Sequence, residues 1–168
     1  QQIDEQTLYN QQRVLNLFAE NHVAEEDLVG STGYGYDDIG RDKLEKIYAG
    51  YFKTEDALVR PQLTSGTHAI TTALFSQLYY GDTLYYMTGM PYDTIQEVIG
   101  LAGDNPGSMK KRGINFKCTD LLPNGEVDYE KVEKDLADDP TIKVVTIQRS
   151  LGYSNRASFT LKKIKKMV

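Results

Sequence analysis

A glycine between two hydroxyl residues, at Ser65-Gly66-Thr67, is the segment of the sequence that is best suited to bind an anion. It lies between a predicted strand and the start of a predicted helix, where backbone N–H groups lack intrahelical acceptors and the helix dipole favours negative charge. Gly66 lets the backbone approach a ligand closely, and both hydroxyls are further donors. The segment therefore predicts a phosphate-binding turn; a residue that only caps the helix is the alternative.

Tyr92 is the second residue with a suitable type and position. It follows the next predicted strand and opens a helix, so its ring is placed to stack on a planar ligand, and a packing tyrosine is the alternative. Neither His22 nor His68 has the spacing of a metal ligand, and Cys118 is the single cysteine. The sequence therefore predicts no metal site and no internal disulfide.

Strands and helices alternate along the chain after a helical N-terminal part. The periodicity predicts helices near 4–20, 44–51, 66–80, 92–102, 128–136 and 160–168, and strands near 57–63, 83–87, 114–118 and 143–148. Such alternation predicts an α/β fold with a mostly parallel sheet and helices on both faces. We expect residues 1–52 to form a helical segment with a glycine- and tyrosine-rich loop, and residues 53–168 to form part of a larger domain.

Ligands of open parallel sheets bind beyond the carboxyl ends of the strands. This rule selects four short segments, at 64–68, 88–92, 119–120 and 148–150. We therefore expect them to form one site.

Composition restricts the partners and the compartment. The formal net charge is −5, which gives no general attraction for nucleic acid or anionic membranes. The sequence has neither a signal peptide pattern nor an apolar run of about 18 residues, and the single cysteine is typical of a reducing compartment, so we expect a cytoplasmic protein. The last predicted helix has no stop signal, so we expect the natural chain to continue past Val168.

An ordered series of segments resembles one enzyme family. The series is Gly33-Tyr34-Gly35-Tyr36-Asp37-Asp38-Ile39-Gly40-Arg41, then Asp42-Lys43-Leu44-Glu45, Ser65-Gly66-Thr67-His68-Ala69-Ile70, Gly81-Asp82, Pro91-Tyr92-Asp93-Thr94 and Gln148-Arg149-Ser150-Leu151-Gly152-Tyr153. It is similar to the cystathionine and methionine γ-lyases, pyridoxal-phosphate enzymes with the aspartate aminotransferase fold. The greatest similarity is to the subgroup called aluminium resistance or methionine γ-lyase-like proteins.

The resemblance implies a role for each matching residue. Ser65, Gly66 and Thr67 would bind the phosphate of pyridoxal 5′-phosphate, and Tyr92 would stack on its pyridine ring. Tyr34 or Tyr36 would reach the cofactor phosphate of a neighbouring subunit, which implies a homodimer or a homotetramer.

The match departs from the family at one position. The lyases carry an arginine just after the tyrosine pair, where this chain has Asp37 and Asp38. Arg41 is the candidate to supply the missing cation to the neighbouring subunit.

The resemblance implies a carbon–sulfur lyase that acts on a sulfur-containing amino acid. Its Schiff-base lysine is expected beyond Val168, so we expect no catalytic residue in this chain and no activity from it alone. A pyridoxal-phosphate-dependent aminotransferase with the same fold is one alternative. The other is a non-catalytic flavodoxin-like module for anion binding or protein interaction.

Overall fold

The computed structural model describes residues 2–32, 34, 36, 38–152 and 155–168. Gly33, Gly35, Asp37 and Tyr153, which belong to the series of segments above, lie outside the described residues. The chain divides into two compact units, Gln1–Thr64 and Ser65–Val168. Among the described residues, none of the helices is both long and apolar enough to cross a membrane.

The first unit is helical, as the periodicity predicts. Helix α1 spans Gln2–Glu20 and helix α2 spans Ile39–Phe52. The two helices pack closely, because a Cβ added at Gly50 would lie 2.7 Å from Leu17 Cδ2. The guanidinium of Arg13 lies 4.4 Å from the centroid of the Tyr51 ring and donates to the Tyr51 carbonyl at 2.9 Å.

A short 3-10 helix at Glu25–Leu28 precedes α2, and the sequence analysis did not predict it. It is held by one local contact and by one that is distant in sequence. Asp27 Oδ2 accepts hydrogen bonds from the Ala24 amide at 2.8 Å and from Lys43 Nζ at 2.7 Å. The Lys43 bond lowers the pKa of Asp27, so this carboxylate stays ionised.

The predicted strand at 57–63 is wrong: these residues, all described, form a loop and a turn. Pro61 has no N–H group to donate to a sheet. The Val59 amide donates to Glu45 Oε1 at 2.9 Å, and the Leu63 amide closes a turn onto the Arg60 carbonyl at 3.0 Å. The backbone is therefore tied to α2 rather than to a neighbouring strand.

The described part of the second unit contains a sheet of three parallel strands in the order β2-β1-β3. Strand β1 spans Thr83–Tyr86, β2 spans Asn115–Cys118 and β3 spans Ile142–Thr146, which confirms the other three predicted strands. The central strand is buried throughout.

Helices cover both faces of this sheet, as predicted. The helices are α3 at Gly66–Gln77, α4 at Asp93–Ile99, α5 at Tyr129–Asp138 and α6 at Leu161–Met167, with a 3-10 turn at Lys110–Arg112. Leu84 and Tyr86 of β1 pack in one apolar cluster with α3 and α4. Tyr85 and Met87 pack in the other, with α5 and α6. The alternation of side chains along one buried strand thus builds two core layers.

Capping fixes the ends of these helices. The side chains of Asp128 and Thr160 accept hydrogen bonds from the amides of Lys131 and Lys163, so these two residues are the N-caps of α5 and α6. Helix α3 ends before the predicted Tyr80, because the Asp82 side chain accepts from the Tyr79 amide at 2.8 Å and stabilises a turn there.

Candidate functional site

The segments that follow the three strands meet at the carboxyl edge of the sheet. The Gln148 amide, after β3, donates to Thr88 Oγ1, after β1, at 2.9 Å. The Gly89 amide donates to the carbonyl of Thr119, after β2, at 2.9 Å. Because β1 lies between the other two strands, its loop bridges theirs.

The Ser65-Gly66-Thr67 segment forms the start of α3. Ser65 is extended, with φ −157° and ψ 164°, and its Oγ accepts a hydrogen bond from the His68 amide at 3.1 Å. The capping alternative therefore holds for Ser65. The amides of Gly66 and Thr67 belong to the first turn, where N–H groups have no intrahelical acceptor.

Space for a ligand exists beside this turn. A Cβ added at Gly66 would meet none of the described atoms within 4 Å. Thr67 Oγ1 donates to Thr94 Oγ1 of α4 at 3.2 Å. This bond connects the start of α3 to the segment that follows Tyr92.

Tyr92 is held by the loop that follows β3. Its amide donates to Gln148 Oε1 at 3.1 Å, and its hydroxyl is hydrogen-bonded to Ser150 Oγ. Gly152 has a positive φ of 60°, and a Cβ added there would lie 2.7 Å from Tyr92 Cε1. The backbone at Gly152 thus lies directly against the tyrosine ring.

Tyr92 and Gln148 line two clefts. One has a volume of about 480 Å³ and includes Ile70 and Arg149 in its lining. The other has a volume of about 490 Å³ and includes Asp120. The ring of Tyr92 therefore has space for a ligand beside it.

A buried polar network lies behind the same edge. Tyr85 OH is 2.6 Å from Thr119 Oγ1, and each hydroxyl lies within hydrogen-bond distance of Asp135 Oδ2, at 3.1 and 3.2 Å. Lys131 Nζ donates to the same oxygen at 2.8 Å. Burial raises the pKa of Tyr85, and the Lys131 hydrogen bond lowers that of Asp135. The network fixes Thr119, whose carbonyl holds the loop after β1.

The residues predicted to serve a neighbouring subunit lie in the first unit. Tyr34 and Tyr36 are 84% and 82% exposed, so both rings are accessible in this chain. Arg41 Nε lies 3.0 Å from the carboxylate of Asp38, which is buried. Arg41 is therefore paired within its own chain, and its role toward a phosphate stays a prediction.

Sequence reasoning selected the segment at 148–150 but missed what its side chains do. It also missed Gly152 as a contact of Tyr92, and it missed Arg156, which organises the loop through bonds to backbone carbonyls. For Gly152, the available signal was a glycine in the segment that follows a predicted strand. Arg156 carried none.

Comparison with known proteins places the chain in a family. The methionine gamma-lyase family profile matches residues 1–168. An uncharacterised Bacillus subtilis protein, YnbB, is 49% identical over 168 residues, which are 99% of this chain and 39% of that protein.

Solved structures agree with this assignment. A Listeria innocua protein, named provisionally as a cystathionine beta-lyase involved in aluminium resistance, is 53% identical with a TM-score of 0.93. The match covers 98% of this chain and 40% of that one. A Clostridium novyi carbon–sulfur lyase involved in aluminium resistance is 44% identical with a TM-score of 0.91, over 98% and 39% of the two chains.

The chain thus spans about 40% of the length of these relatives. The matches confirm the resemblance and the predicted fold class, a partial α/β domain of this enzyme group. The chain belongs to the methionine gamma-lyase family.

Proposed function

We propose that the complete protein is a cytoplasmic, pyridoxal-phosphate-dependent carbon–sulfur lyase that acts on an amino acid of the cystathionine or methionine type. The observation that carries the proposal is the family match over the whole of this chain. The name of the Clostridium novyi protein as a carbon–sulfur lyase supports the reaction class.

The residues of the second unit fit the proposed cofactor. Open space at Gly66 and the first-turn amides of Gly66 and Thr67 are suited to a phosphate dianion. The Thr67 hydroxyl, which donates to Thr94 Oγ1 in this structure, would have to turn from Thr94 to donate to the phosphate. When bound, the cofactor supplies an electron sink for the carbanion formed at the amino acid. In this chain the start of α3 would bind the phosphate, and Tyr92 would cover the pyridine ring. Gln148 and Ser150 would orient Tyr92, while the Schiff-base lysine is expected after Val168.

The test uses the full-length protein. We expect it to bind pyridoxal phosphate, seen as a new absorbance band, and to release a thiol together with ammonia and a 2-oxo acid from cystathionine or methionine. A 2-oxo acid formed without thiol release, and only with an amino-group acceptor, would indicate the aminotransferase instead. Neither binding nor turnover would contradict the proposal and favour a non-catalytic module. Residues 1–168 alone should show no turnover.

We further propose a homodimer, or a tetramer of dimers, in which Tyr34 or Tyr36 reaches the phosphate site of the neighbouring subunit. The exposure of both rings supports this proposal. The test mixes a double Tyr34→Phe, Tyr36→Phe variant with a Gly66→Val variant. If sites are shared, mixed dimers regain some cofactor binding, because one shared site then combines intact tyrosines with an intact turn. No recovery despite proven subunit exchange would contradict the proposal.

A further inference from the structure

The loop after β3 contacts the backbone amide, the hydroxyl and the ring of Tyr92. We infer that the described residues after β3, 148–152 and 155–159, position the Tyr92 ring, with Arg156 as the organising residue and Gly152 as the point of contact. The inference rests on the proposed function in one respect: the Tyr92 ring that this loop holds is the ring that would cover the cofactor.

Arg156 organises the loop through bonds to backbone carbonyls. Its Nη2 donates to the carbonyls of Gln148 at 2.9 Å and Ser150 at 2.7 Å. Its Nη1 donates to the carbonyl of Ala157 at 3.1 Å, with a longer contact of 3.5 Å to that of Arg149. A planar guanidinium can bond several carbonyls at once, whereas a lysine ammonium is a compact charge without this fork.

The base of the loop is closed by a second set of contacts. The Phe159 amide donates to the Arg149 carbonyl at 3.1 Å, and Arg149 Nε donates to the Phe159 carbonyl at 3.1 Å. The guanidinium of Arg156 lies 4.5 Å from the centroid of the Phe159 ring, which is buried. The loop is therefore anchored in the core at the residue where it ends.

The carbonyls that Arg156 holds belong to the residues that hold Tyr92. Gln148 accepts from the Tyr92 amide, and Ser150 is bonded to the Tyr92 hydroxyl. These bonds act at the two ends of the residue, and the Gly152 backbone limits the ring from one side. Together they restrict the backbone and the ring of Tyr92 before any ligand arrives, which reduces the entropy lost on binding.

This arrangement assigns Arg156 a role different from substrate binding. Arg156 lines the cleft of about 490 Å³, where an arginine is a natural candidate to bind a carboxylate. Both of its terminal nitrogens already donate to carbonyls of its own loop. Arg156 is therefore a positioning residue, which acts on a ligand through Tyr92.

The experiment compares Arg156→Lys and Gly152→Ala with Gly103→Ala in the full-length protein. Gly103 is the matched control, because it also has a positive φ, of 70°, but an added Cβ there would meet none of the described atoms within 4 Å. It therefore reproduces the backbone strain of Gly152→Ala without the contact to Tyr92. The first measurement, in the absence of cofactor, is amide hydrogen exchange of the peptide that contains Tyr92. The second is the Kd for pyridoxal phosphate.

We expect Arg156→Lys and Gly152→Ala to increase the exchange of this peptide and to weaken pyridoxal phosphate binding by about tenfold or more. Gly103→Ala should change neither. Gly152→Ala should lower the melting temperature more than Gly103→Ala does, because its added Cβ also displaces the Tyr92 ring. Exchange and affinity no different from those of Gly103→Ala would overturn the inference.

A double-mutant cycle separates this inference from the proposed function. In a Tyr92→Ala background without cofactor, Gly152→Ala should cause no loss of thermal stability beyond that of Gly103→Ala, because the ring it contacts is absent. An unchanged penalty would mean that Gly152 acts independently of Tyr92. If the wild-type protein binds no pyridoxal phosphate, the proposed function fails, and this cycle still decides the role of the loop.

Discussion

Replacing Asp135 by alanine should destabilise the central strand β1 and speed the hydrogen exchange of its amides, although the carboxylate lies on a surface helix. Tyr85 is completely buried and Thr119 is 1% exposed, so neither hydroxyl can turn to solvent. The two hydroxyls carry two hydrogens. Whichever donates to the other across 2.6 Å, the remaining hydrogen is donated to Asp135. Alanine at position 135 therefore leaves one buried donor without its acceptor.

The cost follows from the burial of that donor. An unsatisfied buried donor costs about 1–3 kcal/mol, and loss of the solvent-exposed ion pair with Lys131 adds little to it. The Asp135 side chain is 24% exposed, so water entering the gap recovers part of the loss. We expect a net loss of about 1–2 kcal/mol, which corresponds to about 5- to 30-fold faster exchange of the β1 amides.

Hydrogen exchange of peptides covering Thr83–Tyr86 in the full-length protein measures this effect. Glu133→Ala is the matched control, because Glu133 is an exposed residue of the same helix. Asp135→Asn keeps one oxygen acceptor and should fall between the two. If β1 exchanges equally fast in Asp135→Ala and Glu133→Ala, the network does not stabilise the strand and the reasoning is refuted.

The same network predicts a pH dependence of known sign. The hydrogen bond from Lys131 lowers the pKa of Asp135 in the folded protein. A carboxyl group with a lowered folded pKa contributes stability above its unfolded pKa of about 3.9, and this contribution is lost as pH falls through the folded value. The difference in urea midpoint between wild type and Asp135→Ala should therefore be largest at neutral pH and become smaller below about pH 4.

Two further substitutions add a side chain at a glycine, one beside open space and one in close contact with backbone. Gly66→Val should raise the Kd for pyridoxal phosphate by about tenfold or more with little change in melting temperature, because the added side chain enters open space beside the α3 amides. Gly40→Ala should destabilise the first unit, since the added Cβ would lie 2.0 Å from the Asp27 carbonyl oxygen, a backbone atom. Faster exchange in peptides of α2 than in those of β1 would confirm that this damage is local.

Local patterns were sufficient to predict most of the elements. The helices follow from apolar spacing and from caps such as Asp128 and Thr160, whose bonds reach only three residues along the chain. The segment at 57–63 has an apolar composition typical of a strand, but a strand also requires a neighbour to receive its hydrogen bonds. The Val59 amide donates instead to Glu45, fourteen residues earlier, and no local pattern contains that contact.

The carboxyl-edge rule correctly placed the segments after β1, β2 and β3 at one edge, without revealing how they interact. It selected 64–68 because of the strand expected at 57–63, which the structure does not contain. The rule requires only that the strands be parallel, so it could place Thr88, Thr119 and Gln148 at one edge before the order of the strands was known. Which loops touch depends on the order β2-β1-β3, which puts the segment after β3 beside the one that contains Tyr92. Spacing along the sequence does not specify that order.

Residues that would bind a ligand directly are easier to predict from a sequence than residues that position them. Ser65-Gly66-Thr67 and Tyr92 are recognised by type, because phosphate binding and stacking need particular groups. Arg156 bonds to backbone carbonyls, which every residue carries, so its partners leave no pattern in the sequence. Its role emerges only when β3 lies next to β1 and the carbonyls that it holds belong to the residues that contact Tyr92. Positioning residues of this kind should therefore be sought among side-chain donors, exposed or buried, that bond several loop carbonyls beside an identified site.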